Sequence, residues 1–180
     1  MEGIEVMKKQ IGRLMAGATM AAVVAGVASY SQQRTEAATV SANVAVSASV
    51  AANCLVVTGG TMSFGAYDPL VANDTANLDA DGTFTVRCTR GVTAQVGLDN
   101  GANYLGGTRR MRVGATANYL NYSLFSDGGR TTAWDNAASR VSYSATNKTA
   151  FAMTIYGRVP GGQDPTVGSY VDTVSAVAEF

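Results

Sequence analysis

The sequence predicts an all-β domain, an antiparallel β-sandwich, and three observations carry that prediction. Segments with an apolar residue at every second position recur along the chain, the period of a strand with one buried and one wet face. Turns rich in glycine, asparagine and aspartate separate them, drawing on twenty glycines in 180 residues. No stretch beyond residue 40 keeps a helical period. Short strands punctuated in this way form a sandwich.

The chain opens with Lys8, Lys9 and Arg13, then the apolar run 14–27, then the small residues Ala28, Ser29 and Ser31. This is the order of a secretory signal peptide. The run falls short of the ~20 residues of a comfortable membrane span, so no stable membrane insertion is expected. Glu2 and Glu5 do not suit a basic leader, which leaves Met1 or Met7 as the start. Cleavage fits after Ala28, with Gly26 at the −3 position, or after Ala37, with Thr35 there. The second is favoured because it puts the next segment at the mature N-terminus. The expected organisation is leader and extension over 1–37, an N-terminal strand over 38–50, and one sandwich domain over 51–180.

Residues 38–54 read ATVSANVAVSASVAANC. Val40, Ala42, Val44 and Val46, continued by Ala48 and Val50, form one face, with Ser41, Asn43, Ser47 and Ser49 mostly opposite. At about 3.3 Å per residue, 38–50 extends roughly 40 Å, twice an ordinary strand. An apolar-faced strand at the mobile end of a chain invites pairing with another sheet. We therefore expect Val40, Ala42, Val44 and Val46 to be donated to a neighbouring subunit. Val50 and Ala52 are expected in the domain's own first strand, continuing through 55–57 to the turn at Gly59-Gly60.

The strands expected next are 62–65, then 83–89 (TFTVRCT) after a loop over 66–81, with Phe84, Val86 and Cys88 on one face. Arg90-Gly91 turns into 93–98, and a glycine-rich loop covers 99–107. Strands follow at 110–113 and 119–125. Trp134, the sole tryptophan, lies beyond the turn Asp127-Gly128-Gly129. Residues 149–159 alternate through Phe151, Met153, Ile155 and Gly157. The last strand spans 169–180, with Tyr170, Val174, Ala176, Ala178 and Phe180 on one face.

Composition excludes several functions. The formal net charge is zero, which removes the electrostatic case for nucleic acid. There is no histidine, so Ser-His-Asp and Cys-His catalysis are ruled out, and the commonest metal ligand is missing. No catalytic residues, cofactor or metal are expected, and the chain is not read as an enzyme. Asp68, Asn73, Asp74, Asp79 and Asp81 cluster without the order of a calcium loop and are read as turn formers. Tyr104, Tyr119, Tyr122 and Trp134 are read as core or cross-strand aromatics rather than a sugar platform. Arg109, Arg110 and Arg112 are read as a solvated face. Export to an oxidising compartment makes one disulfide between Cys54 and Cys88 the default.

Several strings together resemble the spore coat protein U domain, the subunit family of archaic (Csu-type) chaperone–usher pili. They include Ala52-Asn53-Cys54, Met62-Ser63-Phe64-Gly65-Ala66-Tyr67-Asp68-Pro69 and Phe84-Thr85-Val86-Arg87-Cys88-Thr89. Further on come Val96-Gly97-Leu98-Asp99-Asn100-Gly101, Arg109-Arg110-Met111 and Leu120-Asn121-Tyr122-Ser123-Leu124-Phe125. Trp134, Tyr156-Gly157-Arg158-Val159-Pro160, Gly162-Gln163 and Gly168-Ser169-Tyr170-Val171-Asp172-Thr173-Val174 complete the set. The resemblance implies an incomplete immunoglobulin-like sandwich completed by a donor strand from a neighbouring subunit. Tyr170, Val174, Ala176, Ala178 and Phe180 would then edge the acceptor groove. It further implies delivery by a periplasmic chaperone to an outer-membrane usher, sibling pilin subunits as partners, and a cell-surface pilus serving attachment or biofilm formation. The alternative is a secreted, non-polymerising sandwich, such as a carbohydrate-recognising or spore-coat protein.

Overall fold

The computed structural model describes residues 36–180, so the expected signal peptide lies outside the described residues. Two units divide the chain, Met1–Val46 and Ser47–Phe180. Of the first, residues 36–46 carry no regular secondary structure and are exposed throughout. The second unit holds all nine strands found among the described residues, which contain no helix and hence none able to cross a membrane. In order these are β1 (Cys54–Thr58), β2 (Leu78–Cys88), β3 (Thr93–Leu98), β4 (Arg109–Val113) and β5 (Tyr119–Phe125). Then come β6 (Val141–Ser144), β7 (Phe151–Val159), β8 (Tyr170–Val171) and β9 (Ala176–Glu179).

The strands form one sheet in the order β1-β2-β7-β5-β4-β8 and a second in the order β6-β3-β9. Every pairing is antiparallel. Phe84, Val86 and Cys88 from one sheet meet Ala94, Val96 and Leu98 from the other, and Trp134 closes the core at 1% exposure. The Phe84 and Trp134 rings lie 5.7 Å apart. Cys54 stands directly opposite Cys88 in the β1–β2 register, and the two form a disulfide with a 4.1 Å Cα separation.

Four departures from the expected elements have clear physical causes. β1 starts at Cys54: Val50 is 84% exposed, and before the strand only Ala51 and Asn53 are tied, their carbonyls accepting from Thr89 Oγ1 and N. β2 begins at Leu78, inside the expected loop, because Arg158 sits opposite Asp79 and grips its carboxylate with bonds of 2.7 and 2.8 Å. The Arg158 bond holds the Asp79 carboxyl below its usual range. Arg130 reaches Asp81 at 2.6 Å from the neighbouring turn. A segment that reads as turn formers thus becomes a strand once its charges meet partners across the sheet.

Residues 62–65 form no strand. Met62 and Phe64 instead lie over glycines: a Cβ at Gly157 would stand 2.5 Å from Met62 Sδ and 2.7 Å from Phe64 Cζ. β6, which nothing in its short polar sequence announces, exists because β3 supplies its ladder, with Thr93 and Ser144 hydroxyls 2.9 Å apart.

Arg109 is not on a solvated face. Its side chain is buried, and Nη2 donates to the carbonyls of Leu98, Asp99 and Trp134 at 2.9, 2.6 and 2.9 Å. Burial lowers its pKa from the usual guanidinium value. Arg110 stacks on Tyr119, with its guanidinium carbon 3.9 Å from the ring centroid. The guanidinium meets these converging carbonyls with Nε and Nη2 held in one fixed fork, a geometry that a single ammonium does not reproduce. Arg109→Leu should therefore destabilise the domain by about 3–5 kcal/mol, since carbonyls left unpaired cost ~1–3 kcal/mol each. The shift of the urea midpoint measures it, and Arg109→Lys should recover only part.

Candidate strand-acceptor groove

The expected last strand, 169–180, is two strands in different sheets. β8 pairs with β4 and β9 with β3. Between them the chain crosses from one sheet to the other, and the loop after β3 holds the crossing. Asp99 N donates to the Ser175 carbonyl and Ser175 N to Asp99 Oδ1, both at 2.9 Å, while Ala102 N donates to Thr173 O. The Asp172 carboxylate accepts from the Tyr122 hydroxyl at 2.6 Å and from Asn103 N and Nδ2. Burial first, and the Asp172 bond second, push the Tyr122 pKa far up, so the hydroxyl stays a donor.

This crossing leaves an opening. β1 pairs with β2 alone and β9 with β3 alone, so each has one free edge. Val56 from β1 and Ala176 from β9 line the same cavity, of about 420 Å³. The segment after β1 contributes Met62 and Phe64 to it; the sheets contribute Phe84, Leu98, Met111, Tyr122, Leu124 and Ile155. It is a mostly apolar opening beside the unpaired edges of β1 and β9, and such edges accept an extended strand.

Of the residues expected at the groove edge, Tyr170, Val174 and Ala176 line it. Ala178 is half-buried and packs against the core, while Phe180 is 59% exposed, and neither is part of the lining. Met62, Phe64, Met111 and Ile155 were missing from the sequence reading as groove residues. Their alternation with polar neighbours marked them as strand or core, and nothing local distinguishes a residue under an open groove from one under a closed sheet.

The expected donor residues carry no regular secondary structure. Val40, Val44 and Val46 are 94%, 83% and 91% exposed, and residues 36–53 belong to no strand. One chain therefore carries an unpaired apolar strand sequence and an open apolar groove. Of the remaining candidates, Tyr122 and Trp134 are core residues, Tyr119 faces Arg110, and Tyr104 is 41% exposed in a loop. Asp68 takes up the amides of Leu70 and Val71, and Asp79 and Asp81 are neutralised by arginines, so these three carboxylates of the acidic run are spent on turns and ion pairs, while Asp74 is exposed. Among the described residues, no three carboxylates or cysteines gather as a metal cage.

The family model of the Spore Coat Protein U domain matches residues 40–177. The chain belongs to this family. It is also 36% identical over 172 residues to Protein U of Myxococcus xanthus, covering 89% of this chain and 96% of that protein. Among solved structures, the CsuC-CsuE chaperone–tip adhesion subunit pre-assembly complex of archaic Csu pili from Acinetobacter baumannii aligns at 21% identity and a TM-score of 0.45. That alignment covers 73% of this chain and 40% of the other, so this chain spans two fifths of that one. The E. coli Hda pilus minor tip subunit, HdaB, aligns at 17% identity and a TM-score of 0.37, covering 70% and 79% of the two chains. The match to the Spore Coat Protein U domain starts at Val40, so the family's domain takes in the exposed N-terminal segment as well as the sandwich.

Proposed function

We propose that this Spore Coat Protein U domain is the structural subunit of an adhesive surface pilus and polymerises by donor-strand exchange. One observation carries the reading: the chain holds both an exposed segment whose sequence alternates apolar residues over Val40–Val46 and an apolar groove beside the unpaired edges of β1 and β9. A sheet edge left open in this way aggregates unless something covers it. A periplasmic chaperone would cover the groove during export, and at an outer-membrane usher the Val40, Ala42, Val44 and Val46 face of a sibling would take its place. The signal-peptide pattern of the N-terminus supports export, and the disulfide suits an oxidising compartment.

A second reading is favoured by the likeness to Protein U and by the family's description: a coat component that needs no fibre. Deleting residues 40–46 separates the two. A pilus subunit so truncated should still be exported but give no fibres by electron microscopy and no detergent-resistant ladder on gels. Unchanged surface deposition of the truncated chain would overturn the pilus reading and favour the coat.

A further inference from the structure

We infer that the two ends of the sandwich form a second, noncovalent head-to-tail contact between copies of this chain, an inference that rests on the strand-exchange reading above. The β2–β7 register defines the ends. At the Leu78/Val159 end, Gly162 N bonds the Asn73 carbonyl at 2.9 Å, which joins the loops before β2 and after β7. At the opposite end Cys54, Cys88, the turn at Arg90 and the turn at Lys148 come together, since Gly91 N bonds Ala145 O and Phe151 pairs with Val86.

The first end presents a braced apolar knob. Leu70 and Val71 are 84% and 80% exposed. Asp68 Oδ1 accepts from both their amides at 2.9 and 3.2 Å, and buried Asn73 ties the turn to Asp68 N and Ala76 O. Two neighbouring aliphatic side chains held outward on a rigid turn cost solvation unless they meet a partner. The other end offers an apolar surface to meet them: Tyr143 and Phe151 are stacked with ring centroids 5.0 Å apart, and Phe151 is half exposed.

Charge agrees with that pairing. Exposed Asp68, Asp74 and Asp164 lie on the loops of that end, while Arg110 and Arg112 of β4, without carboxylate partners, are half-buried. Arg87, Arg90 and Lys148 are exposed at the other end, where Glu179 is taken by Arg140. The tether then brings the two together. A strand entering antiparallel to β9, as every pair in this domain is, exits at the Leu78 end. Segment 47–53 joins it to Cys54 of the donating copy and spans at most about 25 Å. The basic end of one copy is thus held beside the acidic knob of the next at high effective concentration.

The sequence supplies its own probe, because Lys148 is the sole lysine beyond Lys9. Fibres assembled from isotopically light and heavy copies should be treated with a zero-length carbodiimide, and the linked peptides read by mass spectrometry. We expect mixed-label links from Lys148 to Asp74 or Asp164, lost in about 1 M salt where the Debye length is ~3 Å. The Leu70→Ser/Val71→Ser variant should still form fibres but lower the link yield several-fold. Fibres that assemble without any such link overturn the end-to-end contact and leave strand exchange standing. A wild-type chain that never polymerises overturns both.

Discussion

Val44→Asp is expected to abolish fibres while leaving the subunit exported, disulfide-bonded and able to accept a wild-type donor strand. Val44 lies on the even-numbered face of the N-terminal segment and is 83% exposed. Its loss therefore costs the sandwich nothing, and any effect belongs to assembly. In an apolar groove floored by Phe84, Leu98 and Ile155, an unpaired carboxylate costs about 4 kcal/mol or more, roughly a thousandfold in affinity. Asn43→Asp is the control. A one-residue offset reverses the face of a strand, so that carboxylate stays wet and assembly should be close to normal. Detergent-resistant ladders and electron micrographs of the two variants decide the matter. Equal polymerisation, or failure of both to fold, would show that this face is not what the groove receives.

A cis-complemented monomer should be soluble and far more stable than the natural subunit. β9 ends at Glu179, at the same end of the sandwich as Cys54, and one of its edges is free. A second copy of residues 39–50 attached after Phe180 through a short flexible linker can turn back as a hairpin and run antiparallel to β9 along the groove. Three buried valines contribute ~1.5 kcal/mol or more each, and each ladder hydrogen bond roughly 0.5–1.5 kcal/mol. After the cost of ordering the strand, about 5 kcal/mol should remain, raising Tm by about 15 °C at ~3 °C per kcal/mol for a domain of this size. Thermal unfolding followed by circular dichroism reads this directly. An unfused subunit that is equally stable and monomeric would mean that the sandwich is complete without a donor.

Much of this architecture was legible in the residues. The period-two runs placed β3, β5 and β7 within two residues of their observed ends, and they put Phe84, Val86 and Cys88 on the buried face. A leader-like pattern and a count of two cysteines sufficed to expect the disulfide that the structure contains. The alternation over Val40–Val46 is legible as a strand pattern, yet without a partner the segment carries no regular secondary structure.

What the tertiary structure decided was everything set by contacts far apart in sequence. The run 169–180 alternates like one strand, yet Tyr122 and Asn103 seize Asp172, and Asp99 seizes Ser175. These bonds split the run between two sheets and leave the groove open. Arg109 reads like its neighbours Arg110 and Arg112, but only the fold converges the carbonyls of Leu98, Asp99 and Trp134 on that one side chain. Residues 78–81 read as the end of a loop until Arg158 and Arg130 arrive from across the sheet. Alternation is written in the chain, residue by residue. Which carbonyls, carboxylates and edges find partners depends on loops that close over dozens of residues, and no local pattern encodes that.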